Sequence, residues 1–215
     1  MNTKKIFWAF IGLCLLINFT SCQNKTSKAS KDGNFDAKEI IAELDFLLNQ
    51  LDDLDATNCQ NLDEIVTINE KMRGVIESIR SVHQFDKVVN AFDQNRQQIA
   101  FVVSKDKRFG VFSWETKMDC LGNGIKNVAL YKWNEKIMAS SLYGMPLIYD
   151  QISTKEPQNK KKVYFLYGTP SKAEQSELFI TKAYTIIDGD LTESNISLPE
   201  KDLMQMQYAA SARKS

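Results

Sequence analysis

The sequence predicts an α+β fold: an N-terminal helical hairpin, extending to three helices, followed by an antiparallel β meander or open sandwich. Three observations carry this. Apolar residues recur with a helical period from Ala37 to Ile79, and near Gln98 the period changes to two. Turn-forming residues then recur at regular intervals, ending at Asp188-Gly189-Asp190.

In the first helix, Ala37, Ile40, Leu44, Leu47, Leu51 and Leu54 follow one another at alternating spacings of three and four, and Ile41 and Leu48 widen the stripe. A break at Thr57-Asn58-Cys59-Gln60 follows. Asn61 then stands as an N-cap, with Glu64 three residues on and Asp63 in the first turn. The second stripe is Leu62, Ile65, Ile68, Met72, Ile76 and Ile79, which stays within an arc of roughly 120°. Phe85, Val88, Val89 and Phe92 mark a third, shorter helix. Two striped helices with a short connection form an αα-hairpin. Their apolar faces are expected to pack on each other or on the following domain, the alternative being a partner helix.

The strands come next. Ile99–Val103 and Phe109–Trp114 flank a turn at residues 104–108; Val128–Trp133 and Lys136–Ser140 flank Asn134-Glu135; Leu147–Tyr149 and Lys162–Tyr167 are two more. Leu178–Ile187 turns at Asp188-Gly189-Asp190 into a short polar strand expected near Asn195–Leu198, since Asp-Gly between apolar runs is a hairpin signal. Ser197-Leu198-Pro199-Glu200 then caps a C-terminal helix over residues 201–212. The stretch Ser104 to Thr116 resembles the turn-plus-strand of propeller blades, with a Ser-x-Asp box ahead of a Trp strand and Lys107 in place of the usual glycine. The remaining length supplies only two or three blades, too few to close a ring, so a twisted sheet or open sandwich is expected.

Lys plus Arg and Asp plus Glu number 27 each, so no basic face for nucleic acid is implied. His83 is the only histidine, and any Ser-His-Asp, Cys-His or histidine-containing metal site must use it; past the end of the second stripe it reads as a polar helix-end residue. Glu115 and Asp119, beyond the Trp114 strand, are a candidate carboxylate pair for glycosidase chemistry. Asp188-Gly189-Asp190 lacks the further oxygen ligands of a calcium loop, and Gly122-Asn123-Gly124 is a connection, not a phosphate cradle. No catalytic residue, metal or cofactor is therefore assigned. The β region is aromatic, and Trp114, Tyr131, Trp133 and Tyr164 are the candidates for a row that stacks on a sugar or holds a peptide.

The amino terminus carries the most specific signal. Lys4 and Lys5 precede an apolar run from Ile6 to Ile17, and Phe19-Thr20-Ser21-Cys22 closes the segment. This order resembles the signal of bacterial lipoproteins, whose small residue precedes a cysteine that becomes the lipidated amino terminus. An ordinary signal peptide and a retained anchor are the alternatives, although the run is short of the roughly 20 residues that span a bilayer. The resemblance implies a diacylglyceryl thioether and an N-acyl chain on Cys22. With Gln23 and no Asp after the cysteine, it further implies the outer membrane, and the lack of an acidic cluster near Cys22 implies a position facing the periplasm.

Loss of residues 1–21 from the 215 leaves about 190, enough for one domain with a sizeable core or two small ones. Cys14 leaves with the signal. Cys59 and Cys120 remain, in a compartment where disulfides persist, as candidates for a pair or as two free thiols. The expected organisation is a signal (1–21), a flexible tether (22–34), a helical module (35–96), an antiparallel β domain (97–198) and a C-terminal helix or tail (199–215). The expected function is a membrane-anchored envelope lipoprotein, a non-enzymatic binding or assembly accessory for an envelope protein or glycan. The alternative is a cell-envelope hydrolase or glycan-handling enzyme using carboxylates of the β domain.

Overall fold

The computed structural model describes residues 35–144, 146–156, 161–170 and 180–195. The expected signal, tether and C-terminal helix lie outside the described residues.

Helix α1 spans Ala37–Asp52, and Asp36 caps it by accepting the Lys38 N–H at 2.8 Å. Ala37, Ile41, Leu44, Leu47, Leu48 and Leu51 are its buried stripe. Helix α2 spans Leu62–Glu77 and buries Ile65, Ile68, Asn69, Met72 and Ile76. Asn61 precedes it but does not cap it with its side chain: the residue is left-handed (φ 54°), and its amide Nδ2 turns back to donate to the Asp55 carbonyl at 3.0 Å. The start of α2 therefore relies on Asp63 and Glu64 against the helix dipole. Helix α3, Val82–Ala91, opens with a complete capping box between Ser81 and Gln84.

Strands β1 (Ala100–Val103), β2 (Phe109–Met118), β3 (Asn123–Trp133) and β4 (Lys136–Ser141) form one antiparallel sheet in that order. Strands β5 (Leu147–Lys155), β6 (Val163–Pro170), β7 (Ile180–Ile187) and β8 (Asp190–Glu193) form a second. The fold is thus α+β, a helical N-terminal part followed by β meanders.

Several strands differ in extent from the sequence expectation. β5 runs on to Lys155 because a bulge between Tyr149 and Gln151 breaks the alternation that would have marked its second half. β8 begins at Asp190, paired with Ile187, and not near Asn195. The reversal is a two-residue turn with Asp188 and Gly189 both left-handed (φ 52° and 95°), so Asp190 is already strand.

The first sheet is the middle layer. On one face Phe101, Phe112, Trp114, Val128 and Leu130 meet Leu44, Leu51, Ile65, Met72, Ile76 and Phe85 of the helices in one core. On the other, Phe109, Val111, Ala129 and Tyr131 meet Leu147, Tyr149, Tyr164, Leu166 and Tyr184 of the second sheet. The helical stripes are consequently consumed inside the chain, and residues 35–96 share their core with the strands that follow. Among the described residues no helix is long and apolar enough to cross a membrane.

Two fastenings tie the layers. Cys59, left-handed at φ 59°, is joined by a disulfide to Cys120, with the Cα atoms 5.9 Å apart; this links the α1–α2 connection to the β2–β3 turn. Beside it the Lys117 ammonium donates to the Leu54 carbonyl at 3.1 Å.

The second fastening is the β1–β2 turn, the stretch that resembles a propeller box. Asp106 Oδ1 accepts from Ser104 Oγ (2.6 Å) and the Arg108 N–H (3.2 Å), while Lys107 is left-handed (φ 52°) where that box has glycine. Asp106 Oδ2 reaches the second sheet, accepting from Lys162 Nζ at 2.9 Å. Desolvation works to raise the Asp106 pKa, but hydrogen bonds from Ser104, Lys162 and the Arg108 N–H outweigh it and hold the carboxyl below its ordinary value.

Two outcomes are expected. Replacing both Cys59 and Cys120 by Ala should lower stability by on the order of 4 kcal/mol in urea unfolding, given the 61-residue separation; an unchanged midpoint would mean the link does not restrain the unfolded chain. The ionised Asp106 stabilises the fold above the ordinary carboxyl pKa of about 3.9, and that contribution is lost as pH falls through the lower native value. Asp106→Asn should therefore be less stable near neutrality, and its urea midpoint should fall less than wild type between about pH 5 and pH 2. An equal fall in both proteins would contradict this.

Candidate functional site

A cleft of about 410 Å³ opens where α2 crosses the ends of β2, β3 and β4. Its position is set by Asn69, a polar residue inside the buried stripe of α2. Asn69 Oδ1 accepts the indole N–H of Trp114 at 2.7 Å, and Nδ2 donates to the carbonyls of Ile65 (2.8 Å) and Thr116 (3.0 Å). This three-way bond locks the turn of α2 that carries Glu70 and Arg73 over β3.

Glu70 accepts from Lys126 Nζ (2.7 Å) and from Arg73 (2.7 Å), and Arg73 also donates to Glu77 at 2.8 Å. The Lys126 hydrogen bond, followed by that of Arg73, holds the Glu70 carboxyl below its ordinary pKa. The wall of charge is thus internally neutralised. Met118, Ile125 and Leu142 add apolar surface, and Tyr143, 84% exposed, stands at the rim. Buried Asn127 accepts from Ser113 Oγ (2.6 Å) and donates to the Leu147 carbonyl (3.0 Å), so it too is fully engaged. The cleft offers an amphipathic surface without an unpaired charge among these groups, an arrangement suited to binding.

The four aromatics expected to form a stacking row do not form one. Trp114 and Tyr164 are each 2% exposed and Tyr131 is 3% exposed. Trp114 belongs to the helix-facing core, whereas Tyr131 and Tyr164 fill the space between the sheets. The Tyr131 hydroxyl donates to the Gly189 carbonyl at 3.0 Å, and the Tyr164 ring stacks on Phe109 at 4.8 Å. Burial pushes the Tyr164 hydroxyl up to about 12. Trp133 is half-buried against Gly189, where an added Cβ would come within 2.9 Å of its Nε1. Trp114, Tyr131 and Tyr164 are therefore core residues, and they present no aromatic row to solvent.

Glu115 and Asp119 are exposed, and neither lines the cleft. His83 is exposed on the first turn of α3. Asp188-Gly189 forms the β7–β8 turn. Among the described residues no three His, Cys, Asp or Glu side chains converge to hold a metal ion, and no buried side-chain N or O lacks a hydrogen-bond partner. The residue that sequence reasoning missed is Asn69. Its signal was present, since it lies four residues after Ile65 and three before Met72, on the apolar face.

No protein-family profile, curated protein or solved structure matches this chain.

Asn69→Ala should destabilise the fold by roughly 1–3 kcal/mol, because the Trp114 N–H and Thr116 carbonyl lose their buried partner. Denaturant unfolding followed by tryptophan fluorescence measures it, and a loss below a few tenths would show that the node does not hold α2 in place.

Proposed function

We propose that this chain is a lipid-anchored protein of the bacterial outer membrane, facing the periplasm, that acts as a non-enzymatic binding or assembly accessory. The observation that carries the reading is the order Lys4-Lys5, Ile6–Ile17, Ser21-Cys22, followed at once by a polar stretch over residues 23–34. Several acyl chains on one cysteine supply far more hold than a single myristoyl group. The composition of that stretch, rich in Lys, Ser, Thr and Asn without apolar periodicity, suits a tether between lipid and folded body. The Cys59–Cys120 disulfide supports an exported body, since such links persist in oxidising compartments.

The cleft supports binding over catalysis: Glu70, Arg73 and Lys126 are bonded to one another, and Asn127 is engaged on both ends. The hydrolase alternative requires Glu115 and Asp119 in one concave site, and the cleft is lined by neither.

The anchor is tested by Cys22→Ala in the full precursor. Wild type should partition into detergent and carry acyl mass on Cys22, whereas the variant should move to the aqueous phase. Unchanged partitioning of the variant would sink the lipid-anchor reading.

A further inference from the structure

β4 is the last strand of its sheet, so one of its edges lies open to further pairing. The register tells which backbone groups face that edge. The Leu142 N–H donates to the Asn127 carbonyl on the β3 side at 2.9 Å, and the Ile137 N–H donates to the Arg80 carbonyl on the opposite side at 2.9 Å. Backbone groups alternate sides along an antiparallel strand. Met138 and Ser140 therefore turn their N–H and C=O toward β3, while Ile137, Ala139 and Ser141 turn theirs outward.

The chain itself occupies only the start of this edge. Ser81 bridges Lys136 in antiparallel register, and Arg80 takes Ile137. From Ala139 onward no further backbone pairing is present on that side among the described residues.

Exposed edges are normally blunted by proline, charge or a bulge. The segment Ala139-Ser140-Ser141 has small uncharged side chains, and its pairing with β3 is unshifted. Ala139 is exposed, and the strand leads directly into Ser141, Leu142 and Tyr143, which line the cleft. A row already begun by Arg80 and Ser81 thus continues as an unused template that ends beside a cavity.

We propose that the open edge of β4 takes an extended polypeptide segment of a partner protein, added as a strand beside Ala139–Ser141 with one side chain entering the cleft. The chemistry is that of a backbone. Ala139 presents one donor and one acceptor, and Ser141 presents its N–H and a carbonyl that also receives the Ser140 hydroxyl in a long bond of 3.5 Å. The two residues stand about 7 Å apart, a spacing that an extended chain repeats and that a glycan or acyl chain does not. The cleft selects among peptides. Its charges are engaged with one another, and Met118, Ile125 and Leu142 supply apolar contact, so it suits an uncharged side chain with an apolar body. This inference rests on the binding reading and names its partner class. The anchor is tested at Cys22 and the edge at Ala139, so either can fail alone.

The probe is a library of random linear heptapeptides, selected on the detergent-purified full chain. Selected peptides should slow amide hydrogen exchange at Ala139 and Ser141. Ala139→Pro removes an outward N–H while leaving the β3 ladder intact, a place where edge strands accept proline. It should weaken binding at least about tenfold, whereas Ala139→Val, which keeps the donor, should stay within about threefold. If the proline variant loses its helical circular dichroism, protection of the wild-type amides decides. Three results would overturn the proposal: no heptapeptide binding below about 1 mM, bound peptides that leave both amides unprotected, or protection that rises with protein concentration alone. The last would assign the edge to a second copy of this chain.

Discussion

β2 is buried on both faces, and covering it is the constraint that organises the rest of the molecule. Phe112 and Trp114 point one way and Phe109 and Val111 the other, and all four are at most 2% exposed. Each large side chain removed from water contributes about 1.5–3 kcal/mol, so neither the helices nor the second sheet can leave without exposing a full layer. Gly110 belongs to the same constraint: a Cβ there would come within 2.9 Å of the Phe101 ring and 3.3 Å of Phe85, which close over the strand. Phe101 stacks on Phe112 at 4.0 Å in the space so gained.

A strand buried on both sides must also satisfy its polar groups, and this is where stability and the candidate site meet. Trp114 brings an indole N–H into the helix-facing core, and Asn69 answers it while binding the Thr116 carbonyl. The same bonds fix the helical turn that holds Glu70 and Arg73 above Lys126. The cleft exists because α2 is pinned on β2 while β4 ends at Ser141, opposite Val128, leaving the first residues of β3, Ile125 and Lys126 among them, uncovered on one side. Its mutually paired charges make a surface that recognises shape and backbone more readily than it attracts an ion.

Much of the architecture was legible in the sequence because burial writes periodic patterns. The stripes of α1 and α2 follow the helical period, and β2, β3 and β6 carry apolar runs where both faces are covered. What stayed hidden depends on tertiary context. Period two cannot tell a face that meets water from one that meets another layer, so Trp114, Tyr131 and Tyr164 read equally as a ligand row or as core, and the second layer made them core. The bulge beside Asp150 erased the alternation of β5. Asn61 carried the residue type of a cap and not the backbone conformation of one. The cleft itself combines residues of α2, β2, β3 and β4, far apart in sequence and lacking a shared motif, so only the fold brings them together.

The helices and both sheets are therefore one cooperative body built around β2. The most direct test is equilibrium urea unfolding of the disulfide-intact protein, followed at once by helical circular dichroism and by tryptophan fluorescence, with Trp114 and Trp133 reporting on the strands. The two transitions should coincide at one midpoint with one slope. Loss of helical signal at lower urea than the fluorescence change would contradict the account, because it would mean that the first sheet stays folded with its helix-facing layer removed.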